Sequence, residues 1–325
     1  MPTHRPHAGN PFPFSDTNKR YHTYDYWLRH TFGGKCAKIP LDAGLTCPNL
    51  DGRCGFGGCI YCSSRGSGDF APAPHLSLRE QYDRGRATLG AKWPTDRCIP
   101  YFQAHTNTYA PVSHLRALFE EAVDFPDAVA LAVATRADCL PEDTVALLDE
   151  LSQRTTVVVE LGLQTIHDRT AAFINRGHTF DDFLAGYRRL REGAPRVLVG
   201  VHLIFGLPQE SQADMLESVR AVASLRPHQV KIHLLHVLRD TPLADLYEAG
   251  GYIPMERDDY VETVVSALEL LPPDTVIARL TGDGASADLL APAWSRRKRE
   301  VLNAIDMRQR EMDSYQGKRY AGTGC

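Results

Sequence analysis

Strand-like and helix-like stretches alternate along most of this 325-residue chain, and no other feature narrows its fold as much. Strands are expected at 36–45, 98–105, 128–135, 156–163, 197–206, 229–237 and 275–280, and helices at 76–89, 112–125, 141–151, 180–191, 212–225, 242–249 and 258–271. The strand at 156–163 reads TVVVELGL, a buried-strand run broken by one acid, Glu160, and the helix at 141 opens on a proline in its first turn. Such alternation implies an α/β fold with a parallel sheet and helices outside, which right-handed crossovers curl into a barrel-like sheet. Working residues in such sheets sit at the C-terminal strand ends. The polar interruptions fall there: a cysteine-rich loop after the first strand, Thr106-Asn107-Thr108 after the second and Thr135-Arg136 after the third. Glu160 and Gln164 lie on the fourth strand, Gly206-Leu207-Pro208 follows the fifth, and His233 and His236 lie on the sixth.

The loop runs from 41 to 69 as LDAGLTCPNLDGRCGFGGCIYCSSRGSGD. Cys47, Cys54, Cys59 and Cys62, half of the eight cysteines, stand in or beside five glycines that let the backbone turn tightly around something small. Cys59-Ile60-Tyr61-Cys62 has the two-residue gap that lets two thiolates reach one metal or cluster, and Cys47 or Cys54 can add a third sulfur. A disulfide framework belongs to short secreted chains and fits poorly here. Zinc on four cysteines and an iron-sulfur cluster both remain open; three thiolates on a cluster would leave one iron free for an exogenous ligand.

Apolar content of 43% and charged content of 23% suit a globular chain with a sizeable core. No run approaches the ~18 uninterrupted apolar residues of a membrane span. With no targeting segment and eight unpaired-looking cysteines, a reducing cytoplasm and no membrane partner are expected. The net charge of −4 makes no global case for nucleic acid, but residues from Trp294 onward carry eight basic and four acidic side chains. That stretch is either a solvated helix face or a phosphate-binding patch. Three parts are expected: a flexible arm over 1–19, a core over 20–285 and a basic extension over 286–325.

The chain resembles the radical S-adenosylmethionine (SAM) enzymes, and more narrowly the YhcC/YtqA-like family, relatives of the elongator catalytic subunit. The resemblance rests on LDAGLTCPN, GGCIYC, YFQAHTNTYAP, TRADCL, ELGLQT, NRGHT, HLIFGLP, KIHLLHVL, TPLADLY, RLTGDG and APAWS, across roughly residues 20 to 305. It implies a partial (β/α)6 TIM-like barrel of the radical SAM type. It further implies a [4Fe-4S] cluster on Cys47, Cys59 and Cys62, SAM on the open iron, and reductive cleavage of SAM to a 5′-deoxyadenosyl radical.

By the same resemblance, Tyr61 would lie by the adenine, and Thr106, Asn107 and Thr108 would replace the Gly-Gly-Glu turn that elsewhere receives the methionine amino group. Gln164 and Arg176 are spaced as a ribose-binding Gln and a carboxylate-binding Arg are in the similar oxygen-independent coproporphyrinogen oxidases. Glu160 would also face SAM, and Gly206, Leu207 and Pro208 would offer backbone groups to the adenine. The plainer readings are that Glu160 is a buried acid paired with a base such as Arg176, that His202, His233 and His236 are structural, and that Asp283 is a turn residue. Cys54 falls off the family's ligand positions and reads as a spare thiol. Elongator kinship implies tRNA as substrate, with modification of a wobble uridine side chain, and an electron donor such as flavodoxin or ferredoxin. The competing substrate is a small metabolite, and the competing classes are a non-catalytic iron-sulfur or zinc protein. About forty residues follow the core, too few for an acetyltransferase domain, so acetyl transfer is not expected.

Overall fold

The computed structural model describes residues 10–66, 75–90, 95–282 and 287–322. Nine strands form: β1 (Ala37–Leu41), β2 (Cys98–Phe102), β3 (Ala130–Thr135), β4 (Thr156–Gln164), β5 (Leu198–Phe205), β6 (Gln229–Leu234), β7 (Val237–Leu238), β8 (Val276–Arg279) and β9 (Leu289–Ala291). The helices are α1 (Tyr24–Phe32), α2 (Leu78–Gly90), α3 (Val112–Val123), α4 (Glu142–Ser152), α5 (Asp168–Phe173), α6 (Phe180–Gly193), α7 (Gln212–Leu225), α8 (Pro242–Glu248), α9 (Arg257–Leu270) and α10 (Lys298–Glu311). The sheet order is β1-β2-β3-β4-β5-β6-β8, sequence order throughout. β1–β2, β2–β3, β3–β4 and β6–β8 pair in parallel, while β7 and β9 make a separate antiparallel ribbon.

Two compact units interleave in the sequence. One comprises residues 28–163 and 171–200 and carries the cysteine loop. Its core is the outward face of β1–β4 against α2, α3, α4 and α6, with Ile39, Leu41, Phe102, Leu115, Phe119, Val133, Leu148, Val157, Val159 and Phe183 fully buried. α6 starts on a capping box in which Thr179 and Asp182 exchange side-chain and backbone bonds. It then passes so close to residues 137–139 that a Cβ on Gly186 would lie 1.9 Å from the Ala137 carbonyl oxygen. Glycine at that position is what lets the helix hold the segment after β3 in place.

The second unit comprises residues 1–27, 164–170 and 201–325. α7 opens on a Ser211–Asp214 capping box, and α8 on Thr241 followed by Pro242. The arm expected over 1–19 is tied down in its described part, residues 10–19. Asn10 Nδ2 donates to the Thr17 and Lys19 carbonyls at 3.0 and 2.7 Å, Phe12 is fully buried, and Phe14 stacks on His22. Two aromatic rings supply the burial that a polar, proline-rich stretch seemed to lack. Residues 1–9 lie outside the described residues, as do Asp283 and Cys325.

The basic C-terminal stretch is likewise packed. α10 lies along α9, and buried Gln316 donates to the Pro272 and Thr275 carbonyls at 2.6 and 2.8 Å. Arg308 pairs with Glu262 and Glu311, Arg297 with Glu300 and Arg319 with Glu269, and Lys19 pairs with Asp306. Arg297, Arg308 and Arg319 are therefore answered by acids within the same unit. Among the described residues, no helix is long and apolar enough to cross a membrane.

Candidate active site

Beyond β1 the chain enters the cysteine loop, whose root is held by α2. Gln81, fully buried, accepts from the Asp42 amide and donates to the Asp42 carbonyl, both at 2.8 Å. The loop then folds on its own backbone: Leu50 N to Cys47 O at 2.9 Å, Cys54 N to Pro48 O at 2.8 Å, Gly58 N to Asn49 O at 2.9 Å and Cys62 N to Cys59 O at 3.0 Å. The segment after α5 clamps it from outside. Asn49 Nδ2 donates to the Asn175 carbonyl at 3.0 Å, and Asn175 Nδ2 returns bonds to the Phe56 and Gly58 carbonyls at 2.8 and 2.6 Å. Gly177, at φ +76°, passes where a Cβ would stand 3.3 Å from Asn49 Cβ and 3.4 Å from Cys54 Cβ.

The sulfurs of Cys47, Cys59 and Cys62 are half-buried and each is a free thiol, whereas Cys54 is exposed against Gly177. Thr106 Oγ1 donates to Cys47 Sγ at 3.1 Å, and Asn49 Nδ2 to Cys59 Sγ at 3.4 Å. The neighbouring Cys62 thiol lowers the Cys59 pKa to about 6 against the cost of burial, helped by Tyr61, Asn49 and the Arg136 charge. Burial raises the Tyr61 phenol well above its ordinary value, with the adjacent sulfurs adding to the shift. These thiols, ringed by N–H and O–H donors beside a cation, suit a soft metal or an iron-sulfur cluster.

Arg136, at the end of β3, is the cation. Its guanidinium grips Asp138 through two bonds at 3.0 and 2.8 Å and donates to the Arg176 and Gly177 carbonyls at 2.7 and 3.2 Å. Burial opposes the charge, yet Asp138, then Cys47 and Cys139, lift its pKa above the ordinary arginine value. Arg176 is fully buried and spends its guanidinium on the carbonyls of Leu163 and His178. His178 beside it is driven to a pKa of about 3, first by burial and then by the Arg176 charge, and so stays neutral.

Glu160 is buried and pairs with Lys38 of β1, whose ammonium lies 3.8 Å from the centroid of the Tyr101 ring. Lys38 is thus a base beside Glu160 that the sequence did not point to. Thr106, Asn107 and Thr108 are all buried but diverge. Asn107 gives its amide N–H and Nδ2 to the Ala134 carbonyl at 3.2 and 2.9 Å, and its buried Oδ1 has no partner among the described residues. Thr108 Oγ1 bonds to Thr135 Oγ1 and the Cys139 carbonyl instead.

Gln164 and Gly206-Leu207-Pro208 belong to the second unit. Gln164 ends β4 at φ +65°. Gly206, at φ +83°, accepts from the Tyr252 hydroxyl at 2.7 Å, and Leu207 and Pro208 are buried. His202 and His233 lie with ring centroids 5.2 Å apart, and the His236 ring leaves no room for a Cβ on Gly282. Four contributors carried no assigned role in the sequence reading: Asn49, Arg136, Asn175 and Lys38. Asn49, Arg136 and Asn175 stand inside the motifs given above, and Arg136 also ends a strand.

The Radical SAM superfamily model matches residues 50–222 and the Radical_SAM C-terminal domain model residues 227–311. YtqA of Bacillus subtilis is 47% identical over 309 residues, covering 95% of each chain. A tRNA uridine(34) acetyltransferase of Methanocaldococcus jannaschii is 28% identical over 158 residues, 48% of this chain and 28% of that protein. Among solved structures, the Elp3 of Methanocaldococcus infernus with an N-terminal deletion superposes with a TM-score of 0.62 at 18% identity, over 86% of this chain and 64% of that one. The fold is thus the α/β partial barrel of the radical SAM type, and the chain belongs to the radical SAM enzymes, within their YhcC/YtqA-like family and in distant kinship with elongator.

Proposed function

We propose that Cys47, Cys59 and Cys62 hold a [4Fe-4S] cluster, that SAM binds its remaining iron, and that the substrate is a wobble uridine side chain in tRNA. When bound and reduced, the cluster would supply the electron that breaks the sulfonium bond to the 5′ carbon of SAM. The observation that carries the reading is the turn after β2, where Thr106 donates to the Cys47 sulfur and the next residue, Asn107, presents a buried acceptor with no partner among the described residues. A bare carbonyl oxygen in a buried place calls for a donor, and the SAM ammonium supplies one. Asn107 Oδ1 thus takes the part that an acid plays in the wider superfamily.

The other residues act on charge and position. Hydrogen bonds from Thr106 and Asn49 withdraw electron density from two ligand sulfurs, and the Arg136 cation adds to the effect, so all three favour the reduced state of a cluster held there. Arg176 braces the Leu163 and His178 carbonyls and so shapes the strand end that presents Gln164. Tyr61, Thr108, Glu160, Gly206, Leu207 and Pro208 complete the SAM-side set, with flavodoxin or ferredoxin as donor of the electron. The tRNA reading is supported by the sequence likeness to the tRNA uridine(34) acetyltransferase.

The test is anaerobic reconstitution, reduction and assay of 5′-deoxyadenosine with iron and sulfide. Cys47→Ala, Cys59→Ala and Cys62→Ala are each expected to lose iron and SAM cleavage, and Cys54→Ala to keep both. Cleavage that survives in Cys47→Ala and vanishes in Cys54→Ala would replace the ligand set. Nucleoside analysis of tRNA from a deletion strain tests the substrate; an unchanged uridine-34 profile would remove it.

A further inference from the structure

On the outer flank of the cysteine-loop unit, the turn after β2, the segment after β3 and α6 enclose a cleft of about 640 Å³. Its lining includes Arg53 from the cysteine loop, Tyr109, Cys139, Glu142 at the start of α4, and Arg189 from α6. Arg53 and Arg189 are both exposed and come from positions 136 residues apart in the chain. The Arg53 guanidinium lies 5.4 Å from the Tyr109 ring centroid, so a planar cation and an aromatic face stand together at one wall. Arg189 Nη1 is oriented by the Leu140 carbonyl at 2.9 Å. Asp138, on the floor, is already gripped by Arg136. That leaves two arginines against Glu142 in the lining, with Asp51 bonded to Tyr109 beside Arg53.

The volume falls in the range of small-ligand pockets, roughly 300–1,000 Å³. Aromatic and guanidinium planes stack unpaired bases, and arginine forks bind phosphate. We propose that this cleft seats one unpaired nucleotide of the RNA substrate, its base against Tyr109 and Arg53 and its phosphate between Arg53 and Arg189. The inference rests on the RNA reading above and deepens it. Thr108 is the shared wall: its hydroxyl bonds the Cys139 carbonyl of the cleft, two residues from Thr106 on the Cys47 sulfur. A nucleotide held there would fix the strand beside the cysteine loop.

The test measures binding of a fluorescein-labelled tRNA anticodon stem-loop to the reconstituted protein by anisotropy across a salt series. Arg53→Ala/Arg189→Ala is expected to bind at least about tenfold more weakly, with the log–log salt slope reduced by about 0.7 to 0.9 for the one phosphate no longer neutralised. Tyr109→Ala should weaken binding about fivefold or more with little change of slope. Glu142→Gln should tighten it about twofold, a gain that misfolding cannot mimic. Arg297→Ala/Arg299→Ala removes the same charge from the C-terminal stretch and should stay within about twofold of wild type. Equal losses in the two double variants, or wild-type affinity in Arg53→Ala/Arg189→Ala, would overturn the cleft and leave the RNA reading intact. A wild-type protein that does not bind the stem-loop would overturn the RNA reading itself.

Discussion

The C-terminal stretch and the cysteine-loop unit use charge in opposite ways. From Arg296 to Arg319 eight basic side chains crowd into a short span of sequence, most on exposed turns of α10 or just beyond it, and several are met by acids one turn away or on α9. In the cysteine-loop unit the charges that matter are few and largely buried: Lys38 with Glu160, Arg136 with Asp138, and Arg176 among backbone carbonyls. The first arrangement is dense and exchangeable with water. The second is sparse, and each charge is held by desolvated partners. Exposed pairs contribute little because water screens them and long side chains lose freedom to make them, whereas a buried charge stripped of its partner keeps its full desolvation cost. Density of charge along a sequence therefore marks a solvated face, while isolation marks a structural or functional part.

The largest effect should come from Lys38→Met. With the lysine gone, the Glu160 carboxylate stays buried without it, and unfolding free energy in urea should fall by about 3 kcal/mol or more. Adding Glu160→Gln should restore most of the loss, because a neutral amide costs far less to bury. A Lys38→Met protein as stable as wild type would show that this pair is no weightier than those of the tail.

A mid-sized effect is expected at His178. Its folded pKa of about 3 lies below the unfolded value of about 6.5, so the unfolded chain binds more protons between those limits. Its contribution is fully present above about pH 6.5 and drains away as pH falls toward 3. His178→Phe should flatten the urea midpoint between about pH 6.5 and 4.5 relative to wild type, and the His178 ring protons should show no titration by NMR in that window. A normal imidazole titration would mean that the segment after α5 opens to solvent.

The smallest effect belongs to the tail. Arg308→Ala removes the partner of Glu262 and Glu311 and should leave the urea midpoint unresolved from wild type. A clear loss would erase the contrast between the two regions.

Much of this was legible in order and little of it in pairing. The strands of the sheet were readable because long apolar runs such as 156–163 declare themselves, and helix starts because Thr179-x-x-Asp182 and Ser211-x-x-Asp214 carry their own caps. Helix α5 and the two-residue β7 escaped because they are too short to build a period. The cysteine loop and the turn after β2 were recognisable as site elements, yet Asn107 and Thr108 looked alike there and face different partners. Lys38 gave no sign in the sequence of its role, because its contact with Glu160 joins residues 122 positions apart on strands that are not neighbours in the sheet.

By itself the sequence determined the alternation of elements, the cysteine spacing and the membership of the radical SAM enzymes, all of which are local or linear properties. Only the tertiary structure decided that Thr106 touches Cys47, that Asn49 and Asn175 lock the loop, and that Arg53 and Arg189 share a cleft. Those contacts join residues 59, 126, 117 and 136 positions apart. Such distances close only when parallel strands stack their C-terminal ends side by side, and no local preference of the chain encodes which loops will then meet.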